Sequence, residues 1–194
     1  MAGVTHLKYI EEIKADIVRA LKPLGKQALI EAYKIGHTDA PRNTTEYTGG
    51  GSYKWRHRTG NLHDSFASGV FVDGVLVQSS VQYLDNPISR TKDRETGKTG
   101  RQTVKDYLRR VSFGAKNGEI VLVVVAAMYY TRILEGADKS TSSRGPSGRY
   151  IVITPAKDYI AKNWWSYVEP VYKKHGLPIK KPASRVIKGE NIRV

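Results

Sequence analysis

The side chains best equipped for acid–base or metal chemistry crowd into one short stretch of this 194-residue chain: His57, His63 and Asp64, with Ser65 beside them. Two imidazoles and a carboxylate could relay protons, ligate zinc or activate the serine hydroxyl. Their spacing argues against all three. A helical metal site needs ligands one turn apart on one face, and 57, 63 and 64 do not keep that period. Triad members meet through folding, so a serine next to a histidine in sequence is not a triad. These residues are expected on a solvated loop. Gly97-Lys98-Thr99 imitates the end of a phosphate-binding loop, yet no glycine opens such a loop upstream and no apolar strand leads into it. Gly49-Gly50-Gly51 neither follows a strand nor starts a helix, as dinucleotide binding requires. With no cysteine, thiolate chemistry and disulfides are absent. The expectation is a protein that is not an enzyme and uses no cofactor and no metal.

Charge is the stronger signal. The net charge of +14 calls for an acidic partner, either nucleic acid or protein carboxylates. It is concentrated in three segments. Arg90, Lys92, Arg94, Lys98, Arg101, Lys105, Arg109 and Arg110, against three acids, give +5. Lys173, Lys174, Lys180, Lys181, Arg185, Lys188 and Arg193, against Glu190, give +6, and residues 42–58 give +3, which completes the excess. All three segments read as loops or tails on a neutral framework. Tyr129, Tyr130, Trp164 and Trp165 could stack nucleobases, but their spacing favours core or interface aromatics. Adjacent Trp164 and Trp165 cannot share a helix face, so one is expected to be exposed and to meet a neighbouring subunit.

The framework reads as α+β. Apolar residues at three- and four-residue steps from Leu7 to Ala28 predict a helix over 5–35, kinked or split by Pro23 and stopped by Gly36. A long loop, 37–58, follows. Thr59-Gly60 is a turn signal opening a β-hairpin, Ser65–Val72 and Val75–Tyr83, around Asp73-Gly74. A second hairpin is expected around Asn117-Gly118, joining Val111–Ala115 to Glu119–Met128. The run from Ile120 to Met128 is apolar on both faces and should be the central strand, covered on both sides. Residues 85–105 between the hairpins read as a basic insertion, with a short helix over 103–109. After a loop at 136–148 come a short strand, Arg149–Ile153, and a closing helix with Thr154 as N-cap and Pro155 at its first position. Pro170 and Gly176 end that helix. The expected whole is one domain over 1–172, an antiparallel sheet packed by N- and C-terminal helices, and a basic arm over 173–194. The apolar run at 120–128 is far shorter than the roughly 20 residues of a membrane span, and charges interrupt the N-terminus, so a soluble protein without membrane contact is expected. The lack of cysteine suits an intracellular site of synthesis and assembly.

Three segments in order carry a family resemblance over roughly residues 5–172: Arg58-Thr59-Gly60-Asn61-Leu62 through Ser65 leading into a hairpin, Tyr129-Tyr130 through Glu135-Gly136, and Thr154-Pro155-Ala156. This set resembles the tail-completion (neck, head–tail connector) proteins of tailed bacteriophages. The resemblance implies a structural virion protein that forms a homo-oligomeric ring at the neck, joins the portal or its adaptor to tail proteins, and is assembled in the host cytoplasm. Arg58, Thr59, Gly60, Leu62, Tyr129, Tyr130, Glu135, Gly136 and Pro155, with Trp164 and Trp165, would then scaffold subunit contacts. The basic segments would meet partner proteins, with possible non-specific contact to genomic DNA. The alternatives are a basic nucleic-acid-binding protein, for which no recognition motif is present, and a tail terminator or other tail-associated ring protein.

Overall fold

The computed structural model describes residues 2–39, 60–80, 91–113, 118–128, 131 and 153–184, with side chains of the first segment described from residue 7 to 32. The elements run α1 (Ala2–Asp39), α2 (Asn61–Asp64), β1 (Phe66–Val72), β2 (Val75–Ser80), α3 (Gly100–Arg110), β3 (Ile120–Ala126) and α4 (Ile153–Lys174). Antiparallel pairing in the order β2-β1-β3 makes a three-stranded sheet, so the α+β reading holds.

The sheet is covered on both faces, and the two-residue period of its strands shows how. Phe66, Val70 and Val72 of β1 join Ile120, Leu122, Val124 and Ala126 of β3 on the face that receives α1 and α4. Ala67 and Phe71, with Val121, Val123 and Val125, point the other way onto Val104 and Leu108 of α3. Helix α1 lies close to the sheet at Gly25, where a Cβ would sit 2.7 Å from the Ser68 side chain and 3.0 Å from Leu122 Cδ1.

Several expectations give way here. The central strand is β1, not the 120–128 run. β3 pairs with β1 from Phe66↔Ala126 to Val72↔Ile120, and its apolarity on both faces reflects helices above and below. No second hairpin forms with Val111–Phe113. That segment leaves α3 as irregular chain, packs Val111 and Phe113 onto the α3 face, and sets Phe113 edge-on to Phe71 at 5.1 Å. Gly118 does take a positive φ, 81°. The supposed insertion carries a core element, because α3 buries Val104 and Leu108 over the sheet. Its start is a capping box: the Thr99 hydroxyl accepts from Gln102 N, and the Gln102 side chain accepts from Thr99 N.

Both long helices outrun their proline and glycine signals. Helix α1 is continuous through Pro23, which lies on its exposed side, and through Gly36 to Asp39. Helix α4 begins at Ile153, so Thr154 and Pro155 lie inside it, and Thr154 is not the N-cap. It runs through exposed Pro170 to Lys174, so the arm begins after Lys174. The stop is a Schellman motif, with Leu177 N donating to Tyr172 O, Gly176 N donating to Lys173 O, and Gly176 at φ 62°. Of the expected strand at 149–153 only Ile153 is described, and it is helical; of the expected loop at 37–58, residues 37–39 belong to α1 and the rest lie outside the described residues, as does the expected loop at 136–148.

The hairpin behaves as its turn chemistry requires. Asp73 and Gly74 both have positive φ, 51° and 82°. This turn also fastens distant chain: Asp73 N donates to Glu119 O, the Gly118 N–H donates to the Asp73 carboxylate, and the Ser112 hydroxyl donates to Gly74 O. A bulge at Val77 shifts the β1–β2 register between Phe71↔Leu76 and Val70↔Gln78.

The close approach at Gly25 yields a direct test. Gly25→Ala places its methyl against the Ser68 backbone-proximal side chain and should cost about 1–3 kcal/mol, measured by urea unfolding. Stability equal to the natural chain's would contradict the placement of α1 on β1.

Candidate functional site

The turn that opens the sheet is built on Gly60, which is buried at φ 74° and caps the single helical turn α2. A side chain at that φ is strained, which is why glycine stands there. Asp64 N donates to Gly60 O and Ser65 N to Leu62 O, closing the turn before β1 begins. Leu62 is half-buried against the cluster of Ala28, Leu29, Phe66 and Ala156.

Asn61 is the residue this turn presents inward. Its carboxamide oxygen accepts from Gly100 N at 2.9 Å, and its amide nitrogen donates to Thr91 O at 3.1 Å. One buried side chain therefore holds both ends of the 91–100 loop and the first residue of α3. Gly100 is pressed so close that a Cβ would lie 1.8 Å from the Asn61 carbonyl oxygen. Within the loop, Asp93 Oδ1 accepts from Glu95 N, Thr96 N and the Thr96 hydroxyl.

His63 and Asp64 are buried, contrary to the solvated loop expected from sequence. The pair sits at 2.7 Å, His63 Nδ1 to Asp64 Oδ1. The one-turn helix drives both into the fold. Ser65 Oγ donates to Leu62 O at 2.8 Å. Among the described residues, no group of three histidine, aspartate or glutamate side chains is placed to hold a metal ion. Among the described residues, no helix is long and apolar enough to cross a membrane.

The cationic candidates divide into two groups. Lys98 pairs with Asp106, and this contact holds the Asp106 carboxyl below its ordinary range. Lys173 pairs with Glu169 at 2.6 Å, and Lys174 with Asp16 at 2.7 Å. These three are partly spent within the fold. Lys92, Arg94 and Arg109 are exposed, as are Lys180 and Lys181; exposed Arg110 reaches Asp106 only at 3.8 Å. Arg101 is half-buried on α3.

The junction of α1 and α4 is organised by Asp16, which the sequence pattern did not single out. Its carboxylate accepts from Lys174 Nζ, faces His175 Nε2 at 2.9 Å, and meets the Arg19 guanidinium at 3.0 Å. Hydrogen bonds from Lys174 and then His175 lower its carboxyl from the ordinary 3.8 to about 2. Tyr9 adds to the joint: its hydroxyl donates to His175 O, and its ring stands edge-on to the imidazole at 5.6 Å.

Trp164 and Trp165 are both half-buried, so the expected exposed tryptophan is not found. Their rings meet each other edge-on, with centroids 5.6 Å apart. Trp165 packs edge-on to Tyr172 at 5.2 Å, while Lys181 Nζ lies 5.3 Å from the Trp164 ring centroid. The large apolar side chains that do reach solvent are elsewhere: Val75 at 65% and Val77 at 46% on β2, Leu7 and Tyr9 on α1, and Ile179 on the arm. Pro155 is half-buried. His57, Arg58, Thr59, Arg90, Tyr129, Tyr130, Glu135, Gly136 and Arg185 lie outside the described residues.

No protein-family model, curated protein or solved structure matches this chain.

Two outcomes follow from the polar contacts. Asn61→Ala strands a buried N–H and a carbonyl, so stability should fall by about 1–3 kcal/mol, and a urea midpoint unchanged from the natural chain would contradict the clamp. Asp16 has a lower pKa folded than unfolded, so its contribution is complete above pH 3.8 and is lost as pH falls toward about 2. Asp16→Asn should therefore flatten the acid limb of a circular-dichroism titration in that window; superimposable limbs would contradict it.

Proposed function

We propose that this chain is a structural virion protein that forms a ring at the neck of a tailed phage and joins head to tail. The observation that carries the reading is the opening turn: Gly60 at φ 74° leads through α2 into a hairpin, at the head of the ordered segments that resemble the tail-completion family. A sheet backed by the N- and C-terminal helices is the scaffold such a ring subunit needs. Exposed Val75 and Val77 on β2 supply apolar surface for subunit packing, a use of edge strands that monomeric proteins avoid. The chain would act by assembly, with His63 and Asp64 as buried structural groups. A second reading, phosphate binding, is favoured by exposed Lys92, Arg94 and Arg109 beside α3.

Electron microscopy of virions carrying a labelled copy of this chain should locate the label in a symmetric ring between head and tail. A label absent from the particle would contradict the proposal. Val77→Lys, which charges the β2 edge, should leave the melting temperature within a few degrees and abolish ring formation. Normal rings from that variant would remove β2 from the interface.

A further inference from the structure

We propose that helix α3 is a contact for the phosphate backbone of duplex DNA, with Arg101, Lys105 and Arg109 meeting successive phosphates of one strand and Lys92 and Arg94 flanking them. This rests on the phosphate-binding reading, which it localises to one surface, and it does not depend on ring formation.

The three cations recur at four-residue steps, each one position after the buried stripe of Gly100, Val104 and Leu108. They therefore line one flank of the helix, rotated about 100° from the core and about 6 Å apart along the axis. That step is of the order of the separation between neighbouring phosphates on a nucleic-acid strand. Arg101 and Lys105 are half-buried and Arg109 is exposed, so the row climbs from the sheet toward solvent. The helix that carries it is fixed in place. Asn61 holds Gly100 N, the Thr99–Gln102 capping box closes the first turn, and Val104 and Leu108 pack over the sheet.

These charges are not committed inside the fold. Asp106 is the one carboxylate on α3, and it pairs with Lys98 and, at 3.8 Å, with Arg110. The Arg109 charge acts on it only from a distance. Among the described residues, the side chains of Lys92, Arg94, Arg101, Lys105 and Arg109 make no hydrogen bond or ion pair. Arg101 is the most telling of them. Its Nε–H is buried without an acceptor, which costs free energy. It also stands in the first turn of α3, where the helix dipole disfavours a cation and no acidic residue offsets it. Two local rules are broken at one residue without a compensating contact, and an anion on this flank offsets the charge.

The surface lacks what a protein partner needs. Protein interfaces centre on apolar or aromatic anchors and are depleted of charge there. Among the described residues, the large apolar side chains that reach solvent are Leu7, Tyr9, Val75, Val77 and Ile179, none of them on α3 or the loop before it. A cationic row without an apolar anchor suits a nucleic-acid backbone, whose interfaces are polar and positive. Such contacts position the strand and read no sequence.

Fluorescence anisotropy of a labelled mixed-sequence duplex of about 20 base pairs tests this on the full chain, titrated with salt from about 20 mM upward. Binding should be measurable at the low end and lost near about 0.15 M, with a log–log slope of about −0.9 for each phosphate contacted. Arg101→Gln, Lys105→Gln and Arg109→Gln together should make the slope shallower by about 2.7, and exposed Arg109→Gln alone by about 0.9. Lys8→Gln, Lys22→Gln and Lys162→Gln remove the same charge from exposed positions of α1 and α4, and should leave the slope within about half a unit. Equal changes from both triple variants would overturn α3 as the contact while leaving phosphate binding to the chain. No binding at the lowest salt would overturn the contact and the phosphate reading together. Polyglutamate that competes more strongly than an equal charge of DNA, through the same three residues, would overturn phosphate in favour of protein carboxylates.

Discussion

Strand β1 has no solvent face, and much of the molecule follows from that. Six of its seven residues are buried, alternating between a face that takes Phe66 and Val70 and a face that takes Ala67 and Phe71. A strand buried on both sides needs partners at both edges and helices on both faces. β2 arrives locally through a two-residue turn, while β3 arrives from about fifty residues further on. Helices α1 and α4 close one face, and the chain after residue 90 must return as α3 to close the other. Asn61 secures that return, since its side chain binds both ends of the loop that feeds α3. A residue five positions before the strand thus positions the helix that covers it.

Local chemistry was legible in the sequence and long-range pairing was not. The positive-φ glycines at 60, 74 and 118 stand where turn chemistry placed them, and the apolar stripe of α1 faces the core from Ile17 to Ala28, while Leu7 at its start is exposed. What misled was sequence proximity. Asn117-Gly118 looked like the tip of a hairpin, but β1 outcompeted Val111–Phe113 as the partner of β3 with a seven-residue register. The many charges around α3 hid a buried stripe of two residues, Val104 and Leu108, although Thr99-x-x-Gln102 is a capping signal that could have revealed its start. Pro23 and Pro170 failed as breakers because both lie on exposed helix faces, where tertiary packing on the opposite face holds the helix together.

Burial also changed the meaning of individual side chains. His63 and Asp64 read as solvated from composition, but a one-turn helix folded on Gly60 takes them inside. Trp164 and Trp165 meet each other edge-on and are further covered by Lys181, seventeen residues on, and by Tyr172, two helical turns on. Part of the positive charge is likewise committed internally: Lys98, Lys173 and Lys174 meet Asp106, Glu169 and Asp16. Among the described residues, Lys92, Arg94, Arg109, Lys180 and Lys181 are exposed, as are Val75, Val77 and Ile179.

An assembly built on apolar contact and one built on phosphate contact differ most in their response to salt. Burial of apolar area is not screened, whereas each phosphate contact releases counterions and steepens the dependence of affinity on ionic strength. The most direct measurement is therefore a salt titration of self-association and of duplex DNA binding on the same full-length preparation. The assembly account predicts that oligomers persist above about 0.15 M salt while DNA binding has vanished there. Tight DNA binding with a slope of several logarithmic units, from a protein that dissolves to monomers over the same range, would contradict it.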